Sequence, residues 1–136
     1  MLWKIFSKRI EEIMQKHSKR GVRLKVDANF FGIESLGVIQ VRGNGILLLT
    51  DTDLVFGMFR PTRDFLIPLA LIEKIELEES HLTKTVFQPL LKVHFTTEKG
   101  DADSVAYWVA NPTEWKNVLE QCIKNRYSLA HRKGLS

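Results

Sequence analysis

Four histidines and one cysteine are the residues of this 136-residue chain best suited to metal binding or to proton and acyl transfer. His17, His81, His94 and His131 have no HxxxH or HxH partner, and no cysteine or carboxylate completes a ligand set. No metal and no cofactor is therefore expected. His94 fits the outward face of a strand. Ser80 and His81 are adjacent, yet no G-x-S-x-G or Ser-His-Asp context accompanies them. Cys122 falls in an apolar helical stripe, where a small buried hydrophobe is expected rather than a nucleophile. Gly43-Asn44-Gly45 is not a G-x-G-x-x-G cradle. These residues predict a protein that is not an enzyme, with no nucleophile hydrogen-bonded to a base.

Charge sorts the chain into three parts. The net charge is +4. Residues 1–25 hold eight Lys/Arg against Glu11 and Glu12, a local +6, and residues 119–136 hold four against Glu120, a local +3. The stretch between them has eight basic and thirteen acidic groups, a local −5. A nucleic-acid-binding barrel would carry its basic residues on the sheet, so no nucleic-acid partner is expected. One cysteine excludes an internal disulfide framework, and MLWKIFSKRI is too interrupted by charge for a signal peptide. A cytoplasmic setting is expected.

The elements follow from periodicity. Leu2, Trp3, Phe6, Ile10, Ile13 and Met14 share one arc at 100° per residue, with His17 beside them, so residues 1–20 read as an amphipathic helix stopped by Gly21. Residues 21–36 read as a connecting segment: VRLKV alternates briefly, ANFFGIESLG reads as irregular, and Phe30, Phe31 and Ile33 are expected to pack on the body of the domain. From Gly37 seven strands are expected: GVIQVR, ILLLT, LVFGMF, DFLIPLA, IEKIELEE, LLKVHFTT and DSVAYWVA. The turns between them are Gly43-Asn44-Gly45, Asp51-Thr52-Asp53, Arg60-Pro61-Thr62-Arg63 and Glu98-Lys99-Gly100-Asp101, with ESHLTKTVFQP the longest connection. IEKIELEE alternates imperfectly, which predicts a twisted or bulged strand. The last helix is marked by Asn111 as N-cap, Pro112 at the first helical position and Glu114 at N3. Trp115, Leu119 and Cys122 should be buried, and the chain should fray from about Tyr127.

The order of these strands resembles a known superfold. GNGILLLTDTDLVF is similar to the G-x-L-x-L-T-x-x-x-L-x-F stretch of GRAM domains, and IPLALIEKIEL to their I-P-L-x-x-I-x-x-I stretch. LLKVHF, the last strand and a helix carrying Trp115 resemble the end of pleckstrin-homology (PH) domains. The match runs from Gly37 to Ile123 and is nearest to uncharacterised bacterial GRAM-like proteins. It implies a mainly β protein: a PH-like seven-stranded antiparallel barrel capped by a C-terminal helix, with an extra N-terminal amphipathic helix. The divisions are then helix 1–20, connection 21–36, PH/GRAM-like domain 37–127 and basic tail 128–136. The resemblance implies scaffolding, lipid binding or peptide binding, and no catalysis.

Lipid-binding PH domains hold a phosphoinositide between loops at the open barrel end. Here those loops offer Arg42, Arg60, Arg63 and Lys99 against Asp64, Glu98, Asp101 and Asp103, so specific phosphoinositide recognition is not expected. The leading expectation is a protein or peptide partner, including a homo-oligomer. Contact residues would come from the loops and from Val86 and Phe87, which are more apolar than a solvated connection requires. The alternative is an anionic membrane surface met by Trp3, Lys4, Phe6, Lys8, Ile10, Lys16, Lys19 and Arg20. The first helix has three fates: docking on the barrel, on a membrane or on another subunit. Trp108, outward if Tyr107 is inward, offers it a docking surface.

Overall fold

The computed structural model describes residues 2–36, 43–81 and 84–134; the side chains described are those of 7–19, 21–36, 43–79 and 89–125. Helix α1 (Leu2–His17) is followed by a 3₁₀ turn and then by seven strands. These are β1 (Val22–Ile33), β2 (Gly43–Thr50), β3 (Asp53–Met58), β4 (Arg63–Pro68), β5 (Ile72–His81), β6 (Lys84–Thr96) and β7 (Ala102–Val109). Helix α2 (Pro112–Gly134) ends the fold. All strand pairs are antiparallel, in the order β4-β3-β2-β1-β7-β6-β5. The sheet is not closed, since β4 and β5 are its two edges. This is the PH-like open barrel, its core covered by the last helix.

The number of strands is as expected, but their membership differs. VRLKVDANFFGI, read in part as irregular, is β1 at the centre of the sheet, pairing with both β2 and β7. Two flanking strands satisfy its backbone, so it tolerates the weak local signal of Asp27, Asn29 and Gly32. Leu24, Val26, Ala28 and Phe30 point into the main core, while Phe31 packs on the opposite face with Leu90 and Ala106. Gly43-Asn44-Gly45 is not a turn but the start of β2, opposite Phe30, Asn29 and Ala28. Gly45 is needed there for close packing: a Cβ would lie 2.3 Å from the Gly57 carbonyl oxygen and 2.6 Å from the Phe56 ring. The GVIQVR stretch expected as the first strand lies outside the described residues. ESHLTKTVFQP is not a long connection either. Its ends extend β5 and β6, with Ser80 opposite Thr85 and His81 opposite Lys84. The expected bulge in β5 is present as register shifts between Ile72 and Lys74 and between Glu78 and Ser80.

The main core fills the barrel with Leu47, Leu49, Leu54, Phe56, Leu91, Val93, Val105 and Tyr107. Trp115 and Leu119 of α2 enter it fully buried. Cys122 is half-buried rather than buried, because it lies at the margin of that stripe, where Arg23 Nη1 is 3.9 Å from its Sγ. α2 starts at Pro112 as expected, but Asn111 does not cap it in the expected way. Its Nδ2 donates to Glu114 Oε2 at 2.7 Å, and its buried Oδ1 has no hydrogen-bond partner among the described residues. The side chains bond each other instead of closing on the backbone. The segment expected to fray from Tyr127 stays helical to Gly134.

Candidate functional site

Helix α1 docks on the outer face of β2 and β3. Ile10 and Ile13 join Ile46, Leu48, Val55 and Phe59 in a second core, with Met14 and Val22 at its margin. This explains why β2 and β3 are buried on both faces, a pattern without the alternation of a half-exposed strand. The helix lies very close: a Cβ on Gly57 would come within 2.4 Å of Ile13 Cδ1. A polar clasp fixes its rotation. Arg9 Nη2 donates to Asp64 Oδ1 at 2.6 Å, Arg9 Nε to the Met58 carbonyl at 3.2 Å, and Lys16 Nζ to Asp64 Oδ2 at 2.8 Å. His17, buried in the same arc, has Nε2 4.0 Å from Asp64 Oδ2. Burial alone would raise the Asp64 carboxyl; the hydrogen bonds from Lys16 and Arg9 outweigh it and hold the group below its ordinary value.

Sequence reasoning placed Ile10 and Lys16 on this helix but missed Arg9 and Asp64 as its clasp. The only signal was that Arg9 borders the apolar arc, and nothing in a linear pattern pairs it with a residue 55 positions away. Lys8 and Lys19 are exposed. The side chains of Trp3, Lys4, Phe6 and Arg20 lie outside those described. Trp108 is partly exposed and faces outward, with Tyr107 buried beneath, as expected. Ile10 of α1 and Trp108 both line a recess of about 180 Å³, together with Asn29, Asn44 and Gly45. Asn29 Nδ2 donates to Asn44 Oδ1 at 3.1 Å within that lining.

The open end of the barrel holds the larger opening. The 3₁₀ turn Glu34–Leu36 after β1, the β3–β4 turn and the β6–β7 turn gather there, as the strand directions require. A mouth of about 340 Å³ lies between β4 on one side and the ends of β1, β6 and β7 on the other, walled by Ile33, Phe65, Ile67 and Phe95. Leu36 is 63% and Leu66 42% exposed. They are the exposed large hydrophobic residues of the described chain, and both line this mouth. Arg60 and Arg63 are exposed on the neighbouring turn and do not line it. Arg42 lies outside the described residues, as do the side chains of Val86 and Phe87.

Carboxylates rim the mouth in fixed positions. Asp103 Oδ1 accepts from the Ser35 backbone N–H at 3.0 Å and from that of Ser104 at 2.9 Å, and its Oδ2 accepts from Ser35 Oγ at 2.6 Å. Ser104 Oγ donates to Glu34 Oε2 at 2.6 Å. Contrary to expectation, hydroxyls thus touch potential bases, here and also at Thr52 Oγ1 with Asp53 and Thr96 Oγ1 with Glu73. Ser35 and Ser104 fasten the end of β1 to β7 through their bonds. Among the described residues, no group of three or more His, Cys, Asp or Glu could hold a metal ion. No described helix is long and apolar enough to cross a membrane.

No family model matches the chain, and no curated protein matches it. Among solved structures it is similar to the C-terminal domain of an unknown protein from Leishmania infantum. The two share 14% identity over 87% of this chain and 97% of that one, with a TM-score of 0.60. At that identity the likeness concerns the fold alone.

Proposed function

We propose that this chain is a non-enzymatic, cytoplasmic interaction module of the PH/GRAM-like kind, which binds a peptide segment of a partner protein at the open mouth of its barrel. One observation carries the reading: Leu36 and Leu66 are both exposed and both line one opening, which Phe65 and Phe95 also line. An apolar patch at a concave site is what a partner's side chain fills. The open edge supports the same reading, because among the described residues β4 pairs with β3 alone, and its other side can receive an extended chain. The lone Cys122 is the support for a cytoplasmic location.

Membrane-surface attachment through α1 is the weaker reading. It needs the apolar arc free to insert, and Ile10 and Ile13 are already buried under the clasp. Exposing each would cost about 1.5–3 kcal/mol. The test is site-specific photocrosslinking in the native cell, with a benzophenone amino acid at position 36 or 66 and, as control, at exposed Gln121. A discrete adduct with another protein from 36 and 66, absent from 121, supports the module. Adducts absent from both, or equal at all three positions, would contradict it.

A further inference from the structure

We propose that the segment held at the mouth is an extended, basic peptide: an apolar side chain enters between Leu36 and Leu66, and neighbouring Lys or Arg residues lie on the acidic rim. This rests on the reading of the mouth as a peptide site and adds the chemistry of its occupant.

Charge decides the sign of the partner. The mouth shares Ser35 and Asp103 with two neighbouring depressions. Across all three, the lining carries Glu34, Glu98, Asp101 and Asp103 against Lys99, which leaves −3. Asp64 also lines the mouth, but Arg9 and Lys16 answer its charge. The other carboxylates are held differently: neutral hydroxyl and amide donors orient Asp103 and Glu34, which keeps their negative charge available. A phosphate-bearing ligand would meet like charge here, whereas a guanidinium or ammonium would be steered in. The apolar centre and the free β4 edge call for a chain with a main-chain ladder and an apolar anchor, and a free cation offers neither. Because β4 is paired to β3 along its length, only alternate residues of Arg63–Ile67 turn their N–H and C=O to the outer edge, and Pro68 lacks an N–H.

The experiment pans a phage-displayed library of random peptides, at physiological salt, against the full chain and two variants. Leu36→Ser with Leu66→Ser removes the anchor site; Glu98→Lys with Asp101→Lys inverts part of the rim. All four positions are exposed, and circular dichroism and melting should match the wild type. The expected result is a set of binders lost with the leucines, enriched in Lys and Arg beside an apolar residue, and bound roughly ten-fold or more weakly by the rim variant. Leucine-dependent binders with no basic enrichment would overturn the inference and leave the peptide reading standing. A lack of leucine-dependent binders would overturn both. Concentration-dependent dimerisation abolished by the leucine variant would make a second copy the occupant, and would also overturn the inference.

Discussion

Arg9 Nη2 and Asp64 Oδ1 lie 2.6 Å apart, and this contact ties the first helix to the start of β4. Asp64 also lines the mouth, so one carboxylate joins the helix dock to the rim of the candidate site. Replacing it with asparagine removes a charge-assisted bond from Arg9 and another from Lys16. Asp64→Asn should lose about 1.5–3 kcal/mol of stability in urea denaturation, with faster amide exchange along α1. The pH dependence has a fixed sign. A carboxyl held below its ordinary value of 3.8 stabilises the fold fully above that value and loses the contribution as pH falls beneath it. The gap between wild type and variant should therefore be flat from neutrality to about pH 5 and close in stronger acid. A gap that is absent at neutral pH, or that persists undiminished in strong acid, would refute the clasp.

Gly57 and Ile13 make a second prediction. The methyl of Gly57→Ala would fall 2.4 Å from Ile13 Cδ1, so the helix must shift or Ile13 must change rotamer. The expected cost is about 1–3 kcal/mol. Ile13→Ala alone should cost about 2–5 kcal/mol. In the double variant the new methyl occupies part of the vacated space, so the costs should fall well short of additive. Strict additivity in thermal or urea melts would mean that the two residues do not touch.

Trp115 is fully buried, and its Nε1 has no hydrogen-bond partner among the described residues. Trp115→Ala should cost about 3–5 kcal/mol by emptying the centre of the core. Trp115→Phe loses volume but also removes an unpaired N–H, so it should cost clearly less. Equal losses would show that the indole N–H is satisfied.

Glu76 on the outer face of β5 predicts a titration. The hydrogen bond from Lys74 Nζ, at 2.7 Å, is the main reason its carboxyl is held at about 2 instead of 4.5, with contact to Glu78 next. His94 Nε2, 3.1 Å from Glu76 Oε1, favours the same ionised form. Any stabilisation from the pair is present above 4.5 and lost as pH falls through about 2. Carboxyl carbon shifts in Lys74→Met should move the midpoint back toward 4.5. A wild-type midpoint already at 4.5 would contradict the contact.

The fold was readable where short-range signals agree with long-range packing. Apolar runs bounded by turn residues from ILLLT onward, alternation in LLKVHFTT and DSVAYWVA, and Pro112 opening the last helix all point one way. The reading failed where a segment's partners are far away. VDANFFGI has weak strand propensity and becomes β1 because β2 and β7 flank it; GNG looks like a turn but serves close packing at Gly45. The site was legible only in part. Two of the three loops expected at the open end, β3–β4 and β6–β7, are there, whereas Gly43-Asn44-Gly45 is strand and the expected contacts Arg60 and Arg63 do not line the mouth. Leu36 and Leu66 sit in unremarkable stretches, and no periodicity tells that β1 and β4 bring them to one opening.

Amide chemical-shift mapping tests the central claim most directly. A labelled full-length sample would be titrated with a peptide whose binding depends on Leu36 and Leu66. Perturbations should concentrate on Ile33–Leu36, Asp64–Ile67, Phe95 and Asp103–Val105, saturate together, and weaken with added salt. Shifts centred instead on Asn29, Asn44 and Trp108, or along the exposed face of α1, would contradict a binding site at the barrel mouth.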